Sequence, residues 1–329
     1  MASASGGGNT DLVVEVLAKH WRIREPVVRT DLGVSRITWR VGQQYWLSQS
    51  EENRTAGLIR QAQLVQRLFI FLQNEHFSIS VPEIVASESG QMVVTHRGYG
   101  WSLTRHLNGF HPDSSDPGIY PVLTEGMARF HRGLRLFSEG QTANAFYGIC
   151  ARTRQSIERL NLATPFPFTN HPREQELLMR AGEWLLPRLT RFEVLPRQLV
   201  HGDWTPRNVL FDSSDYGPCL TAVLDFEAMA FDPVHVDLAN TCSTLLMWSG
   251  LDKIGERIQD VLRTYEKSGG VRVESEDVYT AMLAHWFCHY WSWRDRLEGG
   301  GFGQDVKERL CLRIESALYF LSPPPVFSK

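Results

Sequence analysis

Cysteine is sparse in this chain and has none of the spacings that mark a disulfide framework or a zinc site. The five cysteines are scattered and form no CxxC pair: Cys150, Cys219, Cys242, Cys288 and Cys311. An odd number of isolated cysteines argues against a set of paired disulfides and against structural zinc. This usage is typical of a reducing compartment, so we expect a cytoplasmic protein.

The sequence also lacks long apolar runs and a strong excess of charge. No apolar run approaches the roughly 20 residues that a membrane-spanning helix needs. The first ten residues, MASASGGGNT, contain neither a basic block nor an apolar block, so we expect a disordered leader over residues 1–10 rather than a signal peptide. The net charge of −3 gives no electrostatic reason to expect nucleic acid or a membrane surface as a partner.

Hydrophobic periodicity divides the 329 residues into a small strand-rich lobe and a larger helical lobe. Residues 11–104 predict a helix, three hairpin strands, a second helix and a further strand, MVVTHRG. Residues 105–329 predict mostly helices, with the short strands QLVHGD, NVLFD and LTAVLDF in the middle. The predicted fold class is therefore α+β, with a cleft between the lobes as the natural ligand site.

Polar side chains are concentrated in the segment LVHGDWTPRNVLFD, between two apolar runs. Asp203 follows the first strand, Asn208 comes five residues later, and Asp225 ends the strand in AVLDFE. A hairpin between NVLFD and LTAVLDF would bring the ends near Asn208 and Asp225 together. Carboxylate and carboxamide oxygens suit Mg²⁺, and Asp203 could accept a proton from a substrate hydroxyl. The segment therefore indicates a phosphoryl-transfer site on strand ends.

These motifs resemble those of a known family. HGDWTPRN is similar to the catalytic loop of the aminoglycoside phosphotransferase and choline-kinase-like enzymes, which are small-molecule relatives of the protein kinases. LDFEAMAFDPVHVDLA resembles the metal-binding segment that follows it. The hairpin lobe, the helix MARFHRGL and the aromatic helix near the end extend the resemblance to most of the chain. It implies a two-lobed protein-kinase-like fold, with a nucleotide-binding lobe at 11–104 and a catalytic and acceptor-binding lobe at 105–329.

The resemblance implies a role for each residue of the two motifs. Asp203 is the expected catalytic base, and Asn208 and Asp225 are the expected ligands of Mg²⁺. His201 is expected to brace the catalytic loop, and Asp237 to cap its helix and support that loop. The phosphate donor would be ATP or GTP. The roles of two further residues stay open: Glu227 is a second metal contact or a solvated side chain, and Arg207 contacts phosphate, substrate or neither.

The small lobe departs from the family pattern at two positions. Ser48 stands where the family has a nucleotide-binding lysine, and Gln61 stands where a helix glutamate holds that lysine. Either nucleotide binding has been lost, as in a pseudokinase-like binding protein, or another cation has taken over, as in the with-no-lysine kinases. Arg36 is the first candidate for that cation and Arg40 the second. The complete set of base and metal residues favours an active enzyme.

The strand MVVTHRG occupies the position that leads into the family's hinge. We therefore expect the backbone from Thr95 to Gly98 to contact the adenine edge, with Thr95, Arg97 and Gly98 in the nucleotide site. This assignment rests on family position alone.

Acceptor specificity is expected to come from the helical lobe. Its aromatic helix contains His285 and His289 at the i, i+4 spacing, which suits core packing better than metal binding because no third ligand is evident. Asp295 and Glu298 could contact an amine. The predicted acceptor is a hydroxyl of a small molecule such as an antibiotic, an amino alcohol or a sugar. Serine or threonine of a peptide natural-product precursor is the alternative.

Overall fold

The computed structural model describes residues 8–30, 36–138, 148–161, 174–214, 217–249 and 254–298. The chain divides into two compact units. The first unit comprises Met1–Phe110 and Thr221–Glu227, and the second comprises His111–Leu220 and Ala228–Lys329. The sequence predicts a boundary at residue 104, and it does not predict that Thr221–Glu227 belongs with the N-terminal residues.

An antiparallel sheet and two helices make up the described part of the first unit. In chain order the elements are α1 (Gly8–Trp21), β1 (Val27–Thr30), β2 (Ile37–Val41), β3 (Tyr45–Glu51), α2 (Thr55–Asn74), β4 (Ile84–Val85), β5 (Val94–His96) and β6 (Tyr99–Arg105). The strand order is β1-β2-β3-β6-β4, and β5 also pairs with β6. Both helices and β1, β2, β3 and β5 agree with the predicted elements, whereas β4 and β6 are additional.

One face of this sheet forms the hydrophobic core of the first unit. Trp39, Leu47 and Trp101 come from three adjacent strands and are almost fully buried in one cluster with Val13 and Leu17 of α1. The amphipathic pattern of α1 thus covers the sheet on this side, because successive side chains of a strand point to opposite faces.

The opposite face of the sheet is polar and carries helix α2. The strand register places Thr38 beside Ser48 and Ser48 beside Ser102, so three hydroxyl side chains form a row across the sheet. Gly100 lies on the same face, two residues before Ser102. A Cβ atom at Gly100 would lie 2.6 Å from Oγ1 of Thr55, so glycine allows the start of α2 to pack closely here.

The second unit is mainly helical. Its elements, in chain order, are α3 (Ile119–Ser138), α4 (Ile149–Asn161), α5 (Glu174–Glu193), β7 (Gln198–Val200), β8 (Val209–Ser214), β9 (Gly217–Val223), β10 (Ala230–Asp232), α6 (His235–Ser249), α7 (Ile254–Lys267) and α8 (Ser275–Glu298). β7 pairs with β10 and β8 pairs with β9, the last residues of β9 belonging to the first unit. The pairing of β8 with β9 confirms the predicted hairpin, whereas α4 and β10 are not predicted.

Large aromatic side chains fill the interior of the second unit. Phe130, Phe192, Trp204, Phe211 and Tyr265 are each exposed by less than 2 %. α8 packs against α4, α5 and α6, and α3 packs against α7. None of the helices in the described ranges is long and apolar enough to cross a membrane. Residues 306–321, VKERLCLRIESALYFL, also have helical spacing in the sequence, and they lie outside the described residues.

Candidate active site

Residues 201–208, between β7 and β8, form the loop that contains the predicted catalytic base. The loop ends in a 3-10 turn, Pro206–Asn208, whose first position suits proline because its fixed φ matches the turn. Nδ2 of Asn208 donates to the backbone oxygen of Asp203 at 2.8 Å and to its Oδ2 at 2.9 Å. The amide nitrogen faces two acceptors, which fixes the orientation of the carboxamide and directs Oδ1 of Asn208 away from Asp203.

The carboxylate of Asp237, near the start of α6, holds the beginning of this loop. Oδ2 accepts the amide of His201 at 2.8 Å, and Oδ1 accepts the amide of Gly202 at 2.7 Å. Asp237 is fully buried, so these charge-assisted hydrogen bonds satisfy a carboxylate that would otherwise be costly to bury. The predicted support of the loop by Asp237 is confirmed. Its oxygens bind loop amides instead of capping α6.

Two other residues on the same face of α6 hold the loop, and the sequence did not single them out. Nδ2 of Asn240 donates to the backbone oxygen of Gly202 at 2.9 Å, and Oγ1 of Thr241 donates to that of Trp204 at 3.5 Å. They follow Asp237 by three and four residues, the spacing at which helix residues share a face. That spacing in DLANT is the signal from which they could have been found.

Gly202 is required where the loop leaves β7. Its φ is +81°, a left-handed conformation that side chains rarely adopt. A Cβ atom here would lie 2.0 Å from the backbone oxygen of Ala228. The glycine of the HGD motif is therefore needed both for its backbone conformation and for the close approach of a second chain segment.

His201 is completely buried and braces the loop. Its Nδ1 accepts the amide of Asp203 at 3.3 Å, and its ring contacts Trp204 edge-on at a centroid distance of 6.0 Å. These contacts fit the bracing interpretation of His201 better than contact with a substrate, because a fully buried ring does not reach solvent.

A buried chain of hydrogen bonds continues from Asp237 into α3 and α7. Nε2 of His131 lies 2.8 Å from Oδ2 of Asp237, and the hydroxyl of Tyr265 lies 2.8 Å from Nδ1 of the same ring. With Nε2 donating to the carboxylate, Nδ1 is left to accept the hydroxyl proton of Tyr265. Burial, and then the charge of Asp237, raise the pKa of Tyr265, which keeps its hydroxyl protonated as this donor.

Asp225 follows β9 in the first unit and has a strained backbone. Its φ is 56°, a conformation that is uncommon for a residue other than glycine and costs about 1–3 kcal/mol where it occurs. Its Oδ1 accepts the amide of Glu227 at 3.4 Å. The strand is anchored to the first unit through Ser80, whose amide donates to Thr221 O at 2.8 Å and whose carbonyl accepts the amide of Val223 at 2.9 Å. Strain of this kind is concentrated at functional sites.

Arg36, just before β2, contacts two polar side chains from other segments of the first unit. Its Nε forms an ion pair with the carboxylate of Glu227, and its Nη2 donates to Oε1 of Gln61 on α2. Arg36 is two residues before Thr38, so it lies on the polar face of the sheet that also contains Ser48. The predicted substitute cation is thus on the same face as Ser48, the position at which the resemblance places the family's lysine.

Arg40, the second candidate cation, contacts its own hairpin. Its guanidinium donates to the backbone oxygens of Gly42, at 3.2 Å, and Gln43, and it lies over the ring of Trp46 at 5.1 Å. These contacts hold Arg40 at the hairpin between β2 and β3.

The placement expected for Thr95, Arg97 and Gly98 is wrong. β5 does not lead out of the first unit, because the chain turns at Arg97 and Gly98 (φ 49° and 76°) and returns as β6. These are the two central residues of a tight hairpin turn, in which positive φ matches the twist of the strands. Arg97 instead forms an ion pair with Glu15 of α1 at 2.7 Å. The chain leaves the first unit only after β6, over residues 106–110.

The histidine pair of the aromatic helix is only partly described. His285 is buried in α8, whereas the side chains of His289, Asp295 and Glu298 lie outside the described residues. Among the side chains that are described, no group of three or more His, Cys, Asp and Glu is arranged to hold a metal ion.

The profile of a protein family described as "Phosphotransferase enzyme family" matches residues 7–273, most of the chain. The chain belongs to the phosphotransferase enzyme family. No curated protein sequence matches it.

Solved structures show the same fold as this phosphotransferase family member, at low sequence identity. An amicoumacin kinase in complex with AMP-PNP, Ca²⁺ and Ami has a TM-score of 0.67 and 13% identity, over 93% of this chain and 92% of that one. A microcompartment-associated aminopropanol kinase has a TM-score of 0.67 and 15% identity, over 94% and 96%. The GDP complex of wild-type aminoglycoside 2'-phosphotransferase-IIIa has a TM-score of 0.60 and 13% identity, over 94% and 98%. The predicted α+β, protein-kinase-like fold is confirmed.

Proposed function

We propose that the protein transfers the γ-phosphoryl group of ATP or GTP to a hydroxyl of a small molecule, in a reaction that requires Mg²⁺. The observation that carries this proposal is the pairing of Asn208 with Asp203 in a loop whose backbone is fixed by Asp237. Phosphoryl transfer depends mainly on positioning and electrostatics, and a rigid loop of this kind supplies both.

Asp203 is the proposed catalytic base. In this role its carboxylate accepts the proton of the acceptor hydroxyl and orients the oxygen for in-line attack on the γ-phosphate. The Nδ2 donor of Asn208 keeps the carboxylate in one rotamer, because Oδ2 is held 2.9 Å from it. A base with a fixed position loses little free energy to reorientation during the reaction.

Asn208 and Asp225 are the proposed ligands of Mg²⁺. Both offer hard oxygen donors, as this ion prefers, and Oδ1 of Asn208 is available because its nitrogen faces Asp203. Asp225 adopts a strained backbone conformation that a purely structural strand end does not require. A bound divalent ion would neutralise charge on the β- and γ-phosphates.

Arg36 is the proposed cation for the nucleotide phosphates, with Ser48 on the same polar face of the sheet. For the adenine edge we propose the backbone of residues 106–110 in place of Thr95, Arg97 and Gly98, because this segment is the one that leaves β6. The bound GDP and AMP-PNP of two structural relatives support a nucleoside triphosphate as donor and leave both ATP and GTP as candidates.

A small-molecule acceptor is supported by the relatives, whose names record action on amicoumacin and aminopropanol. The test is a transfer screen with γ-labelled ATP and, separately, γ-labelled GTP against hydroxylated antibiotics, amino alcohols, sugars and serine-containing peptides. Transfer to a small molecule that is absent without Mg²⁺ supports the proposal. Transfer to peptides alone favours the peptide kinase, and no binding of either Mg²⁺–nucleotide refutes the nucleotide-dependent function.

A further inference from the structure

We propose that Glu227 is the positioning residue for Arg36, the cation that receives the nucleotide phosphates. In the family pattern a helix glutamate holds the nucleotide-binding lysine by an ion pair. In this chain the carboxylate of Glu227, in the segment that contains Asp225, would hold Arg36 in the same way. This inference rests on the proposed function, since it assigns a partner to the nucleotide site of that same reaction.

Lysine is nearly absent from the part of the chain that would bind the nucleotide. The sequence has no lysine between residues 20 and 252, so Lys19 is the first unit's single lysine. Lys19 is an exposed residue of α1, the helix that covers the apolar face of the sheet. A permanently charged cation that the first unit supplies to the polar face must therefore be an arginine.

The contacts of the two arginines on that face distinguish them. Arg40 is held by the backbone of its own hairpin and by Trp46. Arg36 is held by side chains from two other segments, and its side chain is 21% exposed, against 29% for Glu227. A guanidinium has five N–H donors in a planar fork, more than these two contacts use, so it has the capacity to bind phosphate as well.

Gln61 and Glu227 make different contacts with the guanidinium of Arg36. Gln61, on α2, accepts one hydrogen bond from Nη2 of Arg36 but carries no charge. The negative charge comes from Glu227, which makes the ion pair at Nε. Charge-assisted bonds of this kind are stronger than neutral ones and hold a long, flexible side chain in one geometry.

The position of Glu227 links the cation to the proposed metal ligand. The Glu227 amide donates to Oδ1 of Asp225, so one short segment both orders Arg36 and supports Asp225. In the family pattern the helix supplies the carboxylate. Here the carboxylate belongs to Glu227, in the segment after β9. The helix still contacts the cation, but through the uncharged side chain of Gln61.

The experiment moves the carboxylate that contacts Arg36 from position 227 to position 61 and measures nucleotide binding by titration calorimetry. Glu227→Gln keeps the size and hydrogen-bonding capacity of the side chain but removes its charge, so we expect nucleotide to bind about tenfold more weakly. Adding Gln61→Glu to this variant returns a carboxylate to Arg36, and we expect most of the affinity to return. Glu88→Gln, which breaks the exposed Arg22–Glu88 ion pair in the same unit, is the matched control and should bind as wild type does.

Each outcome is decisive for one of the two proposals. Measurements use ADP with EDTA as well as AMP-PNP and GDP with Mg²⁺, so that a metal-ligand role of Glu227 is separated from a role through Arg36. A loss in EDTA that Gln61→Glu restores supports the inference. Unchanged affinity in Glu227→Gln, a loss seen only with Mg²⁺, or no restoration overturns it while the proposed function stands. If wild type binds no nucleotide, the proposed function fails and this inference fails with it.

Discussion

The carboxylate of Asp237 holds the amide of Gly202 at 2.7 Å, although the two residues are 35 positions apart in the sequence. The same carboxylate also holds the amide of His201, so helix α6 imposes the shape of the loop at residues 201–208. A loop of eight residues could adopt many backbone conformations by itself. Its single conformation therefore depends on a buried charge outside the loop.

Replacing Asp237 should destabilise the protein more than replacing any exposed aspartate. Asp237→Ala leaves two buried amides and His131 without their acceptor, and each unsatisfied group costs about 1–3 kcal/mol. We expect the free energy of unfolding in urea to fall by about 3 kcal/mol or more. Asp260→Ala, at an exposed ion pair on α7, should change it by less than about 0.5 kcal/mol. Equal effects of the two substitutions would remove the support role of Asp237.

Gly202→Ala should be far more damaging than alanine at another left-handed glycine. Gly90 has a nearly identical φ, +78° against +81°, but open space within 4 Å of its missing Cβ. Gly90→Ala therefore measures the backbone strain alone, about 1–2 kcal/mol. Gly202→Ala adds the clash with Ala228 O, which displaces the loop, and we expect transfer to fall by about 100-fold or more. Similar unfolding free energies and transfer rates for both variants would show that the close approach does not matter.

The candidate residues of the loop at 201–208 could be predicted from the sequence because they lie close together in it. Asp203, His201 and Asn208 follow an apolar strand within a few residues, and the structure brings these three together. The backbone of their loop is held by Asp237, Asn240 and Thr241 of α6, and His131 of α3 in turn contacts the carboxylate of Asp237. These partners are distant from the loop in sequence. Asn240 and Thr241 are marked only by their spacing of three and four residues from Asp237 in DLANT, and no local pattern links His131 to the loop.

The error at Thr95–Gly98 has a local cause. MVVTHRG has the apolar pattern of a strand, but RGYG contains two glycines close together, and the second of them, Gly100, lies inside β6 rather than in a loop. Glycine is uncommon in strands, so periodicity alone does not predict β6. The tertiary reason for Gly100 is the close packing of α2 against the sheet, which the sequence does not display.

Asp203→Asn should separate catalysis from folding and binding. The substitution keeps the shape of the side chain but removes the base, so we expect transfer to fall by about 10²–10⁴-fold. Nucleotide affinity and the midpoint of thermal unfolding should stay close to those of wild type. Asp212→Asn, on an exposed side chain of β8, serves as the control and should leave transfer unchanged. Substantial turnover by Asp203→Asn would remove Asp203 from the role of base.

Arg36→Ala should weaken nucleotide binding, whereas Arg40→Ala should not. Arg36 is ordered by Glu227 and Gln61 on the polar face, and Arg40 is tied to its own hairpin. Loss of a charge-assisted contact to phosphate corresponds to about 1.5–3 kcal/mol, or roughly ten- to hundredfold in affinity. Titration of both variants with AMP-PNP and Mg²⁺ checks this expectation. Unchanged affinity in Arg36→Ala would assign the phosphate contact to another group.

Acid should destabilise the protein in part through His235, at the start of α6. Burial lowers the pKa of His235 to about 4, with the charge of Arg191 adding to this effect and that of Asp277 opposing it. The unfolded chain takes up this proton near pH 6.5, so between pH 6.5 and pH 4 it binds more protons than the native state does. The free energy of unfolding therefore decreases as the pH is lowered. We expect a loss of about 2 kcal/mol between pH 7.5 and pH 5, measured by urea unfolding, that His235→Leu largely abolishes. His76→Asn, at an exposed histidine, should retain the wild-type dependence. The same dependence in His235→Leu would show that other groups cause the acid sensitivity.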